Sequence, residues 1–208
     1  MTATHCICAH LPAVTTRAGI CLLMHEIEPF KPTNTGWLAA DVVMDTQAFT
    51  WSRTEPDPRL LALLRDPERQ PYVVFPAERV APARIVRSVT PAPGKRPLFV
   101  LLDGTWAEAH KMFRKSPYLD GFPVLALESG RISRYRLRCA LTDTHLCTAE
   151  VAALCLELAG EERAARALDA WLDVFIAHSF DARNSRPADV ASAAHARLAA
   201  IGRATRSP

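Results

Sequence analysis

The chain has 208 residues, 49% of them apolar, and a formal net charge of +3 at pH 7. This length is enough for one sizeable core and gives no clear case for a second. Because the net charge is small, any attraction to nucleic acid must come from local clusters of basic residues, not from the whole-molecule field.

The apolar segments and the cysteines indicate a cellular compartment. The six cysteines include no C-x-x-C pair, and the amino terminus has no long apolar stretch of the kind found in a secretory signal. No segment approaches the roughly 20 apolar residues that a membrane-spanning helix requires. The sequence therefore predicts a soluble, cytoplasmic protein without a membrane partner.

Short apolar runs alternate with helical patterns in the first part of the chain. Runs suited to buried strands lie at 20–24, 48–51, 72–75, 98–102 and 124–127, and helical patterns lie at 35–43, 58–65 and 106–115. This alternation predicts an α/β domain with a mostly parallel sheet flanked by helices.

The remaining segments are a connector and a helical second half. The segment 77–97 is rich in proline, which excludes a regular helix and indicates a surface connector. Helices are predicted at 148–158 and 161–176, separated by Gly160, and a last one at 187–201 before a frayed end.

The sharpest local feature is Leu-Asp-Gly-Thr-Trp at 102–106, where an apolar strand ends and a helix begins. Thr105 and Glu108 have the spacing of a capping box, which fixes the turn and leaves Asp103 at the carboxyl end of a buried strand. Open α/β sheets bind ligands at that edge. The alternative is structural: the Asp would serve only to form the turn, and Trp106 only to anchor the helix in the core.

A second polar segment, Lys-Pro-Thr-Asn-Thr-Gly at 31–36, follows the first predicted strand and leads into a helix. Its Thr and Asn residues are good N-caps, and Lys31 beside the positive end of the helix dipole favours a carboxylate or phosphate contact. An ordinary N-cap accounts for the segment equally well.

A third segment, 131–138, alternates arginines with other residues at the period of an extended strand. Guanidinium groups pair with phosphates and stack on bases, so this face is a candidate RNA contact, with a solvated edge strand as the alternative. Lys111, Arg114 and Lys115 form a second basic cluster, at a helix end where they also complement the helix dipole. Thr148 and Glu150 begin a helix, again with ordinary capping as the alternative.

Several enzyme classes lack their fingerprints in this sequence. No two of the eight glycines are spaced as G-x-G, and the sequence contains no P-loop. A Rossmann-type methyltransferase or an ATPase is therefore disfavoured. Neither a G-x-S-x-G elbow nor an H-E-x-x-H zinc pair is present.

Four motifs in order resemble those of the DTW-domain family. They are Lys-Pro-Thr-Asn-Thr-Gly at 31–36, Leu-Asp-Gly-Thr-Trp at 102–106, Tyr-Arg-Leu-Arg at 135–138 and Cys-Thr-Ala-Glu at 147–150. Further stretches at 51–56, 74–77 and 111–119 are similar to its bacterial tRNA-uridine aminocarboxypropyltransferase branch. Each motif is weak alone, but the set in this order and spacing is highly specific.

This resemblance implies a SPOUT-like α/β fold, related to that of knotted RNA methyltransferases, and it leaves a knot in the C-terminal half open. It implies a DTW domain at 1–180 and a C-terminal helix and tail at 181–208. It also implies transfer of the 3-amino-3-carboxypropyl group from S-adenosyl-L-methionine to a uridine ring nitrogen in tRNA, with release of methylthioadenosine. The alternatives are a SPOUT-like RNA methyltransferase, an rRNA-directed aminocarboxypropyltransferase and a non-catalytic RNA-binding protein.

The family's namesake residues fall on Asp103, Thr105 and Trp106. Asp103 is expected to be the catalytic base that takes the proton of the uridine nitrogen. The expected cofactor contacts are Thr105, Trp106, Tyr135, Arg136, Leu137, Thr148 and Glu150. The expected RNA or anion contacts are Lys31, Asn34, Lys111, Arg114, Lys115, Arg131, Arg134 and Arg138.

The amino terminus departs from this family pattern. Members of the branch usually carry a four-cysteine metal cluster there, and only Cys6 and Cys8 match its second half, so residues 1–12 resemble a remnant of it. A structural zinc site normally needs four ligands, and His5 and His10 do not complete a common spacing. We therefore expect no bound zinc. Either the sequence begins downstream of the first cysteine pair or the site has been lost.

Overall fold

The computed structural model describes residues 3–12, 14–127, 133–135, 137 and 146–203. The strands in this part of the chain are β1 (Gly19–Met24), β2 (Thr46–Thr50), β3 (Arg69–Val74), β4 (Ile85–Val86), β5 (Arg96–Asp103) and β6 (Val124–Leu125). The α-helices are α1 (Gly36–Val42), α2 (Pro58–Leu64), α3 (Trp106–Arg114), α4 (Thr148–Leu158), α5 (Glu162–Arg183) and α6 (Ala193–Arg203).

The six strands form one sheet in the order β2-β1-β5-β3-β6-β4, and every neighbouring pair is parallel. The predicted α/β fold with a parallel sheet is therefore confirmed. In the register of β1 and β5, Met24 lies opposite Asp103. Because all strands run the same way, the loops that follow them gather at one edge of the sheet.

Helices cover both faces of the sheet, which explains why β1 is a continuous apolar run. All six of its residues are buried, as expected for a parallel strand with a helical layer on each side. Ile20 and Leu22 pack on one face with residues of α1, α4 and α5, while Cys21 and Leu23 pack on the other face with α2 and α3. This alternation follows from the two-residue period of a strand.

The predicted strands and helices are all present, with differences at their ends. α5 continues past the predicted end at 176 to Arg183, and Ser185, with a φ of 52°, follows it in the left-handed region. α6 begins at Ala193, later than the predicted start at 187. The Asp189 carboxylate accepts a hydrogen bond from the N–H of Ala191, which holds the chain in a turn before this helix.

The proline-rich connector contains one unexpected strand, β4. It also contains two short 3-10 turns, at Ala77–Arg79 and Pro82–Arg84. The Arg84 guanidinium donates to the carbonyls of Leu119 and Phe122 and so ties the connector to the chain that leads into β6. A two-residue strand has no periodic signal in the sequence, which is why it was not predicted.

None of the helices in the described ranges combines the length and the apolar character that crossing a membrane would take. A knot in the C-terminal half stays a prediction, because the chain between Leu127 and Leu146 falls mostly outside the described residues.

Candidate functional site

The carboxylate of Asp103 is the centre of the site at the carboxyl edge of the sheet. Asp103 is the last residue of β5 and only 3% exposed. Its Oδ2 accepts a hydrogen bond from Asn34 Nδ2 at 2.7 Å, and its Oδ1 accepts one from the Thr148 hydroxyl at 2.5 Å. A buried carboxylate needs such donors because it has lost its contact with water. Three of the four sequence motifs therefore meet at one carboxylate.

The turn that follows Asp103 is fixed by the predicted capping box. The Thr105 hydroxyl accepts from the N–H of Glu108 at 3.3 Å, and Glu108 Oε2 accepts from the N–H of Thr105 at 2.7 Å. Burial alone would raise the pKa of Glu108, but these hydrogen bonds and the charges of His25 and Lys31 hold it below its ordinary value. The box therefore carries a negative charge beside the turn at neutral pH.

Asn34 links the motif at 31–36 to Asp103 and to the start of α1. Its Oδ1 accepts the N–H groups of Gly36 at 2.8 Å and Trp37 at 3.4 Å, so it caps the helix as predicted, in addition to contacting Asp103. A Cβ on Gly36 would lie 2.8 Å from Asp103 Oδ2 and 3.1 Å from Asn34 Oδ1. Glycine at this position therefore allows the close approach of helix and carboxylate.

Glu28 is a site residue that the sequence did not reveal. It is fully buried, and its Oε2 accepts from Asn34 Nδ2 at 3.0 Å. Lys31 Nζ lies 2.5 Å from the other carboxylate oxygen of Glu28. The predicted anion contact Lys31 is thus paired within the protein. The available signal was the i,i+3 spacing of Glu28 and Lys31, which is common on any protein surface.

The described part of the arginine-rich segment 131–138 lies against the start of α4. The Glu150 carboxylate accepts hydrogen bonds from the Ser133 hydroxyl at 2.7 Å, the N–H of Arg134 at 2.7 Å and the N–H of Cys147 at 2.8 Å. Glu150 was expected to contact the cofactor. In the structure its carboxylate fastens residues 133–135 to the helix start.

Two further predicted cofactor contacts, Tyr135 and Leu137, are buried. The Tyr135 hydroxyl donates to the Thr33 carbonyl at 2.5 Å, which joins the motif at 135–138 to the motif at 31–36. Burial raises the pKa of Cys147, next to Thr148, to about 12, so its thiol stays protonated at neutral pH and is no nucleophile. Trp106 begins α3 and is half-buried, with its ring 5.9 Å from that of His110.

The predicted RNA contacts have different surroundings. The Arg134 guanidinium, 43% exposed, pairs with Asp169 at 2.9 Å and with Asp173 at 3.1 Å on α5. Lys111 is exposed on α3 with its Nζ 5.6 Å from the centre of the Trp51 ring. Arg114 is exposed and Lys115 half-buried at the end of α3, and Arg131, Arg136 and Arg138 lie outside the described residues.

The amino-terminal cysteines lie on the surface. Cys6 and Cys8 are exposed, and a hydrogen bond between the two thiols lowers the pKa of Cys6 and raises that of Cys8. Within the ranges that the structure covers, no group of three or more His, Cys, Asp or Glu side chains is arranged to hold a metal ion. The expected lack of zinc stays a prediction.

A family model described as the DTW domain matches residues 1–180 of the chain. No solved structure matches the chain.

Proposed function

Since this chain belongs to the DTW-domain family, which is associated with tRNA modification, we propose that it transfers the 3-amino-3-carboxypropyl group of S-adenosyl-L-methionine to a uridine ring nitrogen of tRNA, releasing methylthioadenosine. The proposal includes cytoplasmic tRNA as the partner. The observation that carries it is the burial of Asp103, with one carboxylate oxygen held by Asn34 and the other by Thr148.

In this proposal Asp103 takes the proton of the uridine nitrogen, which is a poor nucleophile while it is protonated. Asn34 and Thr148 fix the direction in which the carboxylate faces, and a fixed orientation of base and substrate lowers the entropic cost of the reaction. The site is largely closed to water around Asp103, so its charge is poorly screened and acts strongly on a nearby proton or cation.

The residues at this edge suit a sulfonium co-substrate. A buried carboxylate, hydroxyl groups and a half-buried indole offer partners for a cation, a ribose and an adenine ring. S-Adenosyl-L-methionine supplies an electrophilic carbon beside its sulfur. The residues that would hold it are Thr105, Trp106, Tyr135, Leu137 and Thr148, together with Arg136. Glu150 contributes indirectly, because its carboxylate fixes residues 133–135 in place.

The tRNA surface in this proposal is the exposed side of α3, with Lys111, Arg114 and Lys115. Lys111 and Arg114 lie on the helix that begins directly after the Asp103 turn, and Lys115 follows its last residue. Phosphate contacts by lysine and arginine release counterions, so binding should weaken steeply with added salt. Binding to tRNA that does not change with salt would contradict this surface.

The test is product analysis with a matched pair of variants. Purified protein is incubated with S-adenosyl-L-methionine and bulk tRNA, and the tRNA is then digested to nucleosides for mass spectrometry. We expect aminocarboxypropyl-uridine and methylthioadenosine from the wild type, and neither from Asp103→Asn. Asp120→Asn is the control, since Asp120 is an exposed aspartate before β6.

Other outcomes of this experiment would replace the proposal. S-Adenosylhomocysteine with a methylated nucleoside would identify a methyltransferase. When the incubation is repeated with bulk rRNA, modification of rRNA but not of tRNA would identify an rRNA-directed enzyme. Full turnover by a folded Asp103→Asn variant would remove Asp103 as the base.

A further inference from the structure

Two buried carboxylates share one amide nitrogen at the site. Asn34 Nδ2 lies 3.0 Å from Glu28 Oε2 and 2.7 Å from Asp103 Oδ2. A primary amide nitrogen carries two hydrogens, so it can donate one to each carboxylate. Because both oxygens contact the same atom, they lie within about 6 Å of each other, a range in which charges change each other's proton affinity.

Lys31 determines the net charge of this arrangement. Its ammonium contacts Glu28 Oε1, while the side of Glu28 that faces Asp103 contacts Asn34. Glu28 is fully buried, and the ammonium of Lys31 at its Oε1 favours the ionised form of the carboxylate. The charges of Glu28 and Lys31 therefore act in opposite directions on Asp103.

In the described part of the chain, the groups around this pair include the side chains of His25 and Glu108 and two hydroxyl groups. His25 follows β1, and its Nδ1 lies 3.3 Å from Oε1 of Glu108 on α3. Tyr135 contributes its hydroxyl from the motif at 135–138, and Thr148 contributes a neutral donor from α4. The orientation of Asn34 does not depend on Glu28 alone, because its Oδ1 is also held by the start of α1. What Glu28 adds is mainly charge.

We propose that Glu28 and Lys31 form a positioning pair that sets, through Asn34, how readily Asp103 takes up a proton. The proposal deepens the proposed function, since its catalytic meaning rests on Asp103 being the base. It assigns opposite effects to the two members of the pair. Removing the charge of Glu28 leaves a lysine beside Asp103, and removing the charge of Lys31 leaves a glutamate there.

The test follows the titration of Asp103 in the protein alone. Aspartate labelled with carbon-13 at the carboxyl group gives a signal for Asp103 that Asp103→Asn assigns by its disappearance. We expect Glu28→Gln to move the titration midpoint to lower pH, and Lys31→Met to move it to higher pH, each by about one unit. The double variant Glu28→Gln/Lys31→Met should return the midpoint close to that of the wild type.

Glu26→Gln is the matched control, because Glu26 is exposed in the same loop and loses the same charge. We expect its midpoint to equal that of the wild type. Displacements in the same direction for Glu28→Gln and Lys31→Met, or none beyond that of Glu26→Gln, would overturn the proposal. If Glu28→Gln fails to fold, Lys31→Met and the double variant carry the same test.

The pH dependence of transfer then separates this proposal from the proposed function. Where the wild type is active, the acid limb of its rate profile should follow the titration midpoint in each variant. If the wild type transfers nothing to tRNA, the proposed function fails while the titration still decides the effect of Glu28 and Lys31. If transfer occurs and the midpoints do not move, the pairing fails and the function stands.

Discussion

The hydroxyl of Thr148 donates to Oδ1 of Asp103 at 2.5 Å, across 45 positions of the sequence, and joins the first residue of α4 to the last residue of β5. Beside it, the N–H of Ala149 donates to the Thr35 hydroxyl at 3.3 Å. The start of α4 is therefore held by two loops of the sheet edge. A change at Thr148 should affect both the carboxylate and the placement of this helix.

We expect Thr148→Val to reduce transfer to tRNA by roughly 10- to 100-fold, because the side chain keeps its shape but no longer donates to a charged oxygen. It should also lower the free energy of unfolding by about 1–3 kcal/mol, since a buried carboxylate loses a partner. Thr148→Ser keeps the hydroxyl and should retain most of the activity. Turnover and urea unfolding measure the two effects, and equal activity of the Val and Ser variants would contradict the role.

A second prediction concerns Glu150, whose carboxylate accepts three hydrogen bonds from residues 133–134 and 147. Glutamine has only one oxygen, so Glu150→Gln leaves part of this set without an acceptor. We expect a loss of about 1–3 kcal/mol in urea unfolding and faster hydrogen exchange at the Arg134 amide. Glu162→Gln, at an exposed position of α5, is the control. An Arg134 amide as protected as in the wild type would count against the assignment.

The fold could be predicted from local patterns where burial is continuous. β1 and β5 are covered on both faces, and α3 has an amphipathic pattern between two clear caps. β4 could not be predicted, because two residues do not define a period. The end of α5 was missed because its last turns carry polar residues, including the buried His178.

The site could be predicted only in part, since its motifs give positions along the chain and not the partners across it. Asp103, Asn34 and Thr148 were expected at one edge of the sheet, and their hydrogen bonds agree with that expectation. The burial of Glu28 was missed, because a lone acidic residue in a loop has no sequence signal that distinguishes it from a solvated one. The acidic partners of Arg134 are on α5, far along the chain, so periodicity alone could not identify them.

The ion pairs of Arg134 lead to a third prediction, made by comparison with Lys111. Each variant, Arg134→Ala or Lys111→Ala, removes one positive charge. We expect Lys111→Ala to weaken tRNA binding and to reduce its salt dependence. Arg134→Ala should change binding less, because its guanidinium already pairs with Asp169 and Asp173, and should cost under about 1 kcal/mol of stability at this exposure. Filter binding across a salt series checks this, and an equal loss for both variants would contradict it.

A fourth prediction uses the exposed ring of Phe30, which lies in the turn that also contains Glu28. Phe30 is 84% exposed, and unpaired bases stack well on such aromatic surfaces. If tRNA reaches the Asp103 site, Phe30→Ala should weaken its binding by about 1–3 kcal/mol. Phe180→Ala is the control, at a ring that is 51% exposed on α5. Equal affinities of the two variants for tRNA would remove Phe30 from the interface.

A buried histidine pair connects α5 to α6. Nε2 of His178 lies 3.2 Å from Nε2 of His195, and Nδ1 of His178 lies 3.1 Å from the His5 carbonyl. A carbonyl only accepts, so Nδ1 of His178 carries the proton and its Nε2 accepts from His195. Nδ1 of His195 then accepts from the Ser192 hydroxyl at 3.0 Å. A proton added to the accepting Nε2 of His178 would place two N–H groups against each other.

The last prediction is that acid weakens the folded state through this pair. Burial, followed by the charges of His10 and His178, lowers the pKa of His195, against a smaller opposing effect of Asp189. The unfolded chain then binds more protons than the folded protein below the unfolded pKa of about 6.5. Stability should be full above that pH and fall as the pH drops towards the lowered folded value. Urea midpoints at pH 7.5 and 5.5 measure the loss, which should be smaller in His195→Asn than in the wild type. Burial also lowers the pKa of His110, so His110→Asn should remove a separate part of the acid sensitivity. An unchanged loss of stability in His195→Asn would exclude the histidine pair as a source of the acid sensitivity.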